Sequence, residues 1–144
     1  MTDEAKVRQI VADRTRAMNE GDAAALVAGY APDAVVYSLA PPLRQPAEGN
    51  SDVSALQAWF DGHGGRVGYA VADLDVTVSG DLALCTSLDR MGGADDSSGE
   101  QFELWFRATL ALRRDGDTWR VVHDHRSTPF YMDGSFKAAL DLKP

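Results

Sequence analysis

The sequence lacks the features that secreted, membrane-bound and disulfide-stabilised proteins require. Its single cysteine, Cys85, cannot form an internal disulfide, and the N-terminal residues MTDEAKVRQI contain no apolar signal segment. Charge-free segments such as 34–43 are too short to span a bilayer, and this one is broken by two prolines. We therefore expect a cytoplasmic protein that does not enter a membrane.

Basic residues are also scarce. Fourteen Lys and Arg residues against 22 Asp and Glu residues give a formal net charge of −8. A negative chain repels phosphate backbones and anionic lipid surfaces, so nucleic-acid and membrane partners are not expected. The sequence has no Gly-x-Ser-x-Gly, no Cys-x-x-Cys and no nucleotide-binding fingerprint. Serine-hydrolase, nucleotide and cofactor chemistry therefore have no support, and no cofactor is predicted.

What is present fits one globular domain over residues 1–144, with 44% apolar residues. Apolar residues recur at helical spacing in 3–19, before Gly21. Asp22 can cap a shorter helix over 23–30, and Ser51 a third that ends near Gly62. The third helix is expected to turn four apolar residues inward, namely Val53, Leu56, Trp59 and Phe60.

The rest of the chain favours strands. A short strand is predicted over 35–39, followed by a rigid, extended loop over 40–49 that holds three prolines. Four β-rich segments come next, separated by turns at Ser79-Gly80 and Asp115-Gly116, over 67–78, 82–91, 101–114 and 118–127. This order predicts an α+β fold: a cone-shaped half-barrel in which three N-terminal helices pack on a curved, mainly antiparallel sheet and leave a cavity.

Alternation along the last strand predicts which side chains face that cavity. A two-residue turn at Asp115-Gly116 would pair Leu110 with Val121, Ala108 with His123 and Phe106 with His125. The apolar face would then carry His123, His125 and Ser127 inward, unless a bulge near 123–127 reversed the alternation beyond it. The outer face would carry a mixture suited to a partly polar homodimer interface: Trp105, Arg107, Val122, Asp124 and Arg126.

The paired imidazoles are the first candidates for catalysis, since histidine moves protons near neutral pH. The alternative is a pair of core histidines that hydrogen-bond to backbone or tyrosine. A His-x-His strand also suits zinc or iron, but it needs a third ligand such as His63 or Asp89, and no metal is predicted. Asp89 could face inward at the end of its strand, but near Gly92-Gly93 it is rather expected to be solvated.

Arg14 is the exception on the first helix, because it lies on the apolar stripe. Aimed at the cavity it would stabilise an oxyanion, and otherwise it would reach past the stripe to water. Tyr37 and Ser38 end the first strand at the expected cavity mouth. Tyr37, Trp59 and Phe106 are predicted to shape an apolar pocket. Cys85 is expected to be a small core residue.

Four ordered segments, NEGDAAALVAGYAPDAVVYS, then PPL and Gly49, then DG, then TWRVVHDHRSTPF, resemble the SnoaL-like branch of the nuclear transport factor 2-like superfamily. The resemblance covers nearly the whole chain. It implies a cone-shaped α+β barrel, usually dimeric, in a group that includes ketosteroid isomerases, polyketide cyclases and epoxide hydrolases. Fold alone does not determine activity within such a group.

The resemblance also says where the steroid isomerases' catalytic residues would fall. Their base falls on Ser38, their tyrosine donor on Arg14 and their aspartate donor near Ala108, so isomerisation of a Δ5-3-ketosteroid by that mechanism is not expected. The string HDHRS is similar to the hub domain of calcium/calmodulin-dependent kinase II, where the arginine matching Arg126 lines a cavity. This nominates Arg126, against the strand alternation above.

The leading hypothesis is a small-molecule enzyme of the cyclase or isomerase type, acting by acid-base chemistry on an apolar, carbonyl-bearing compound. His123 or His125 would move the proton and Arg14 would stabilise the oxyanion. Substrate-binding residues would be Tyr37, Ser38, Trp59, Phe106, Arg126 and Ser127. The alternatives are a non-catalytic ligand-binding or accessory domain and, third, an assembly domain like the kinase hub.

Overall fold

The helices and one strand occupy the first half of the chain, and four longer strands the second, in a computed structural model that describes residues 1–94 and 101–144. The helical elements are α1 (Asp3–Glu20), α2 (Ala23–Ala28), a 3₁₀ helix (Ala47–Ser51) and α3 (Val53–Asp61). The strands are β1 (Tyr30–Tyr37), β2 (Gly68–Ser79), β3 (Leu82–Ala94), β4 (Gln101–Asp115) and β5 (Thr118–Ser127). No helix among the described residues is long and apolar enough to cross a membrane.

The sheet has the order β1-β5-β4-β3-β2, in which only the β1–β5 pair is parallel. It is open, and the helices pack on its inner face. The predicted α+β half-barrel is thus confirmed.

The helix boundaries follow from local capping. The Thr2 hydroxyl accepts a hydrogen bond from the Ala5 amide where α1 begins. The carboxylates of Asp22 and Asp52 cap α2 and α3 in the same way, by accepting backbone amide hydrogen bonds. Gly21 ends α1 with φ of +68°, and a Cβ there would lie 1.9 Å from the Gly65 carbonyl oxygen. Only glycine therefore lets α1 lie against the segment that leads into β2.

Three sequence predictions about the first half of the chain were wrong in detail. Asp52 rather than Ser51 caps α3, because its carboxylate accepts the Ala55 amide. β1 begins five residues earlier than predicted, at Tyr30, because Tyr30 pairs with Val121 of β5 before the register shifts between Tyr30 and Val35. The loop over 40–49 is not wholly extended, since the 3₁₀ helix begins inside it at Ala47.

Two apolar clusters fill the space under the sheet. One surrounds Val7, Val11, Leu112 and Val121 at the closed end, and it buries Cys85 as predicted. The other surrounds Met18, Leu26, Phe60 and Phe106 toward the open end. On α1, Arg14 lies between Val11 of the first cluster and Met18 of the second. A polar side chain therefore enters the molecule where the two clusters meet.

A β-bulge in β5 decides which residues face the helices. Leu112 pairs with Val121, but Ala111 pairs with His123, so Val122 is an extra residue on β5. Beyond it, Leu110 pairs with Asp124 and Ala108 with Arg126. The predicted pairs of Leu110 with Val121, Ala108 with His123 and Phe106 with His125 are wrong. Asp115 pairs with Thr118, which already shifts the register by two residues, and the bulge adds one more and reverses the alternation.

Candidate active site

A cavity of about 540 Å³ opens between the helices, the 38–46 loop and the sheet. Its walls are largely apolar and include Met18, Leu26, Leu39, Leu56, Trp59 and Met91. At its inner end stand the side chains of Arg14, Tyr30, Asp124 and Arg126. An apolar chamber with charged groups at one end suits a small organic molecule that carries oxygen at one end.

Asp124 contacts the other three of these side chains. Its carboxylate accepts a hydrogen bond from the Tyr30 hydroxyl at 2.6 Å and lies 3.5 Å from Arg14 Nη2. Arg126 donates to both carboxylate oxygens, from Nε at 3.2 Å and from Nη2 at 3.3 Å. Arg14 Nη2 also donates to the Tyr30 hydroxyl at 3.1 Å. The two guanidinium groups are therefore fixed by one buried carboxylate.

A second carboxylate lies on the neighbouring strands. Asp89 of β3 is 5% exposed and accepts hydrogen bonds from the Tyr69 hydroxyl and, at 2.7 Å, from the Ser87 hydroxyl. The Arg126 guanidinium carbon lies 5.9 Å from the centre of the Tyr69 ring. We call the whole set the polar cluster: Arg14, Tyr30, Tyr69, Ser87, Asp89, Asp124 and Arg126.

Charge and burial set the protonation of the cluster. Burial alone would raise the pKa of Asp124, but the charges of Arg126 and Arg14 outweigh it and hold that pKa below its usual range. Burial raises the pKa of both the Tyr30 and Tyr69 hydroxyls, and the neighbouring carboxylates raise it further. The cluster thus combines an ionised Asp124 with two neutral phenols that donate hydrogen bonds.

Arg14 retains an unused donor. Its side chain is 11% exposed, and its Nη1 atom is buried with no hydrogen-bond partner among the residues that the structure describes. Arg14, Asp89, Asp124 and Arg126 all line a recess of about 30 Å³ at the inner end. A buried donor without a partner costs about 1–3 kcal/mol.

The predicted histidines do not face this cavity. The bulge places His123 and His125 on the outer face of the sheet, where His125 is exposed and His123 half-buried. Ser127 ends β5 and lines an open hollow beside His125 instead. Asp124 and Arg126, predicted to face outward, take the inner positions. The predicted inward orientation of His123, His125 and Ser127 is wrong for this reason.

The other predicted site residues divide between the cavity and its surroundings. Ser38, Trp59 and Arg126 line the cavity. Tyr37 does not, since its ring packs edge-on against His123 and His125 on the outer face. Phe106 is 2% exposed and belongs to the apolar core. Trp59 and Val53 of α3, predicted to point inward, are 37% and 39% exposed, because α3 lies at the rim.

Sequence reasoning missed five members of the cluster, namely Tyr30, Tyr69, Ser87, Asp89 and Asp124. Asp89 was expected in solvent, but its carboxylate lies on the inner face because Cys85, Ser87 and Asp89 alternate inward along β3. That alternation could have been inferred from the predicted burial of Cys85. The orientation of Asp124 could not, because it depends on the bulge.

The cluster does not have the composition of a metal centre. No group of three or more His, Cys, Asp or Glu side chains able to hold an ion occurs within residues 1–94 and 101–144. His63, considered above as a third ligand, instead places Nδ1 2.8 Å from the Trp59 carbonyl oxygen.

The family model of the SnoaL-like domain matches residues 7–131 of this sequence. The chain belongs to the SnoaL-like domain family. The resemblance seen in its sequence is thus confirmed. No curated protein matches the chain.

Solved structures place this SnoaL-like domain among nuclear transport factor 2-like (NTF2-like) proteins. An NTF2-like protein of unknown function from Pseudomonas putida is 33% identical, with 98% of this chain and 96% of that chain covered and a TM-score of 0.83. A proposed dehydratase of the NTF2-like family from Streptomyces avermitilis is 19% identical, with 90% and 97% covered and a TM-score of 0.74.

A proposed scytalone dehydratase from Novosphingobium aromaticivorans shares the same fold. It is 12% identical, with 94% of this chain and 89% of that chain covered and a TM-score of 0.75. At this identity the likeness concerns the fold alone. The residues of the polar cluster must therefore carry any argument about activity.

Proposed function

We propose that this SnoaL-like domain is an enzyme that removes a proton next to the carbonyl group of a small apolar compound. Isomerases, aldol-type cyclases and dehydratases of β-hydroxy carbonyl compounds share this step. The observation that carries the proposal is the recess that a buried cation, Arg14, and a buried carboxylate, Asp89, both line.

Arg14 is the group suited to the carbonyl oxygen. As the proton leaves, the oxygen becomes an enolate, and a preorganised cation away from water stabilises that charge strongly. Arg14 is held in place by Tyr30 and Asp124, so it does not need to reorganise during the reaction. Arg126, held by the same carboxylate, adds positive potential at this end of the cavity.

Asp89 is the group suited to accept the proton. Its hydrogen-bond donors are the neutral hydroxyls of Tyr69 and Ser87, whereas Asp124 is ion-paired with two arginines, which hold its pKa below the usual range. In the proposed step the C–H bond breaks and its proton passes to an Asp89 carboxylate oxygen. Its electron pair forms the enolate double bond, and the carbonyl oxygen takes the negative charge.

The fate of the enolate would decide the overall reaction. Return of the proton at another carbon is an isomerisation, attack on a second carbonyl carbon is a cyclisation, and loss of a β-hydroxyl as water is a dehydration. A recess of about 30 Å³ holds about two water-sized groups, enough for the carbonyl oxygen and the reacting carbon. The rest of the substrate would lie along the apolar walls.

Exchange of α-protons for solvent deuterium tests the step before the natural substrate is known. Aryl ketones and β-hydroxy ketones would be incubated with the protein in D₂O and followed by proton NMR. Asp89→Asn should slow exchange by about 10²- to 10⁴-fold, and Arg14→Met by about 10²- to 10³-fold.

The matched control is Asp75→Asn, which makes the same change at an exposed position of the neighbouring strand β2. It should leave exchange unaltered. Exchange that persists undiminished in Asp89→Asn, with the fold intact by circular dichroism, would contradict the assigned base.

The second candidate is a ligand-binding domain without turnover. The supporting observation is that both carboxylates of the cluster already accept hydrogen bonds or ion pairs, Asp124 from three side chains and Asp89 from two. Native mass spectrometry of the purified protein would detect a retained ligand. A bound carbonyl compound without α-proton exchange would favour this second function.

The outer face of the sheet is proposed as a homodimer interface. It carries the exposed Leu82 and Leu84 of β3 toward one end of the strands, and the exposed Arg107 and half-buried Trp105 of β4 toward the other, a mixed apolar and polar surface. Asp124 and Arg126, once expected there, take no part because they point inward. Sedimentation of the protein as a monomer at micromolar concentration would contradict this proposal.

A further inference from the structure

The loop wall of the cavity carries two carboxamide side chains that the proposed chemistry does not use. Asn50 lies in the 3₁₀ helix and Gln45 shortly before it, and both line the cavity of about 540 Å³. The Asn50 residue is 7% exposed, and Gln45 is half-buried. Polar atoms enclosed in this way are normally hydrogen-bonded, so each end of the two amides calls for a partner.

The amide nitrogen of Asn50 is occupied by the edge strand β1. Its Nδ2 atom donates to the Ala34 carbonyl oxygen at 2.9 Å and to the Pro32 carbonyl oxygen at 3.2 Å. Carbonyls only accept hydrogen bonds, so these contacts also establish which end of the amide is the nitrogen. The Oδ1 atom is turned away from both carbonyls, and it accepts no hydrogen bond from the described residues.

Gln45 is fixed in the same manner. Its backbone amide donates to the Val36 carbonyl oxygen at 2.9 Å. Its Nε2 atom faces three acceptors: the Ser38 hydroxyl at 2.7 Å and the Ala40 and Pro41 carbonyl oxygens at 3.1 Å and 3.4 Å. The Ser38 hydroxyl gives its own proton to the Ala40 carbonyl. Neither group keeps a hydrogen for a ligand, and Gln45 Oε1 accepts no hydrogen bond from the part of the chain that the structure describes.

The two ends of the cavity therefore offer opposite hydrogen-bonding groups. The inner end carries the guanidinium donors of Arg14 and Arg126, whereas Asn50 and Gln45 present amide oxygens, which can only accept. A substrate whose carbonyl oxygen lies at the inner end completes this pattern if it carries a donor at its other end. Two uncharged acceptors suit a neutral hydroxyl, since a buried ammonium group would need a counter-charge.

We propose that Asn50 and Gln45 select a hydroxy ketone, by accepting a hydrogen bond from a substrate hydroxyl that lies remote from the reacting carbonyl. The inference rests on the proposed function for the position of that carbonyl at Arg14. The remote hydroxyl takes no part in bond breaking, so the two residues determine specificity and are not catalytic residues.

Matched aryl ketones test the inference in a binding measurement that needs no turnover. The probes are para-hydroxyacetophenone against acetophenone and, for a longer reach, hydroxyacetonaphthone against acetonaphthone, each titrated by calorimetry. In at least one pair the hydroxylated compound should bind about 10- to 100-fold more tightly, because its partner leaves a buried acceptor without a donor. Replacing the hydroxyl by a methoxy group, which cannot donate, should abolish this preference.

Variants assign the preference to the two amides. Gln45→Met keeps the length of the side chain without its oxygen and should reduce the preference at least ~3-fold, as should Asn50→Ala. The matched control is Gln9→Met, the same change on the exposed side of α1, where the amide contacts Asp13. It should leave the preference unaltered.

Asn50→Ala also removes the hydrogen bonds to β1, so the wild-type comparison and Gln45→Met decide the matter if that variant does not fold. The inference is overturned by equal affinities within both pairs, by no binding of any probe up to millimolar concentration, or by a preference that persists undiminished in Gln45→Met. Loss of α-proton exchange alone would count against the proposed function and leave this binding preference standing.

Discussion

The two faces of the second half of β5 differ in what holds their side chains. On the inner face, Asp124 and Arg126 are ion-paired with each other and with Arg14, away from water. On the outer face, His123 and His125 contact a backbone carbonyl and a tyrosine ring, and His125 is exposed. Adjacent residues of one strand therefore differ in how strongly folding depends on them. Substitutions on the two faces of β5 test this difference, and the buried thiol of Cys85 on β3 extends it to the inner face of a neighbouring part of the sheet.

The largest loss of unfolding free energy is expected from Asp124→Asn. The substitution keeps the side-chain shape but leaves the buried Arg14 and Arg126 without their shared counter-charge, which should cost about 3–5 kcal/mol of unfolding free energy. Urea denaturation followed by circular dichroism measures it. Asp33→Asn, which breaks the exposed ion pair with Arg113, should cost at most ~1 kcal/mol. Equal losses in the two variants would mean that the inner pair contributes no more than a surface pair.

A smaller loss of stability is expected at high pH, and its source is the buried Cys85 thiol on the inner face of β3. Burial raises the pKa of the Cys85 thiol to about 11, from an ordinary value of 9.0. The folded state thus holds its proton more tightly than the unfolded state, so stability is full below pH 9 and falls as pH rises toward 11. The loss should reach about 2–3 kcal/mol, since one pKa unit corresponds to about 1.4 kcal/mol.

Comparison with Cys85→Ala isolates the thiol from the other groups that titrate in this range. Guanidinium denaturation of both proteins between pH 8 and about 11 should show a steeper decline for the wild type. Parallel curves would contradict a buried, proton-retaining thiol.

The smallest change in unfolding free energy is expected from a substitution on the outer face of β5. His125→Ala removes an exposed imidazole, and the unfolding free energy should change by less than about 0.5 kcal/mol. Thermal and urea denaturation measure this change, with the Asp124→Asn variant studied in parallel. A loss of about 1–3 kcal/mol instead, the usual cost of an unsatisfied buried partner, would show that His125 is part of the packed structure.

Much of the fold was predictable because local patterns and the core required the same elements. The limits of β5 were predicted as 118–127, and α1 differs from its predicted range by one residue. Arg14 could also be singled out, since a charged residue on an apolar stripe is visible without a structure. Whether its guanidinium reached the cavity or the solvent depended on Tyr30 and Asp124, which lie 16 and 110 positions away in the chain.

The sequence by itself determined the order of helices and strands, the acidic surface, the buried Cys85 and the family, because each is written in composition or short-range periodicity. Only the tertiary structure decided which residues of β5 face the cavity. One extra residue, Val122, reverses the alternation, and a bulge depends on how two strands fit together. That single insertion places Asp124 and Arg126 beside Arg14 and leaves His123 and His125 outside.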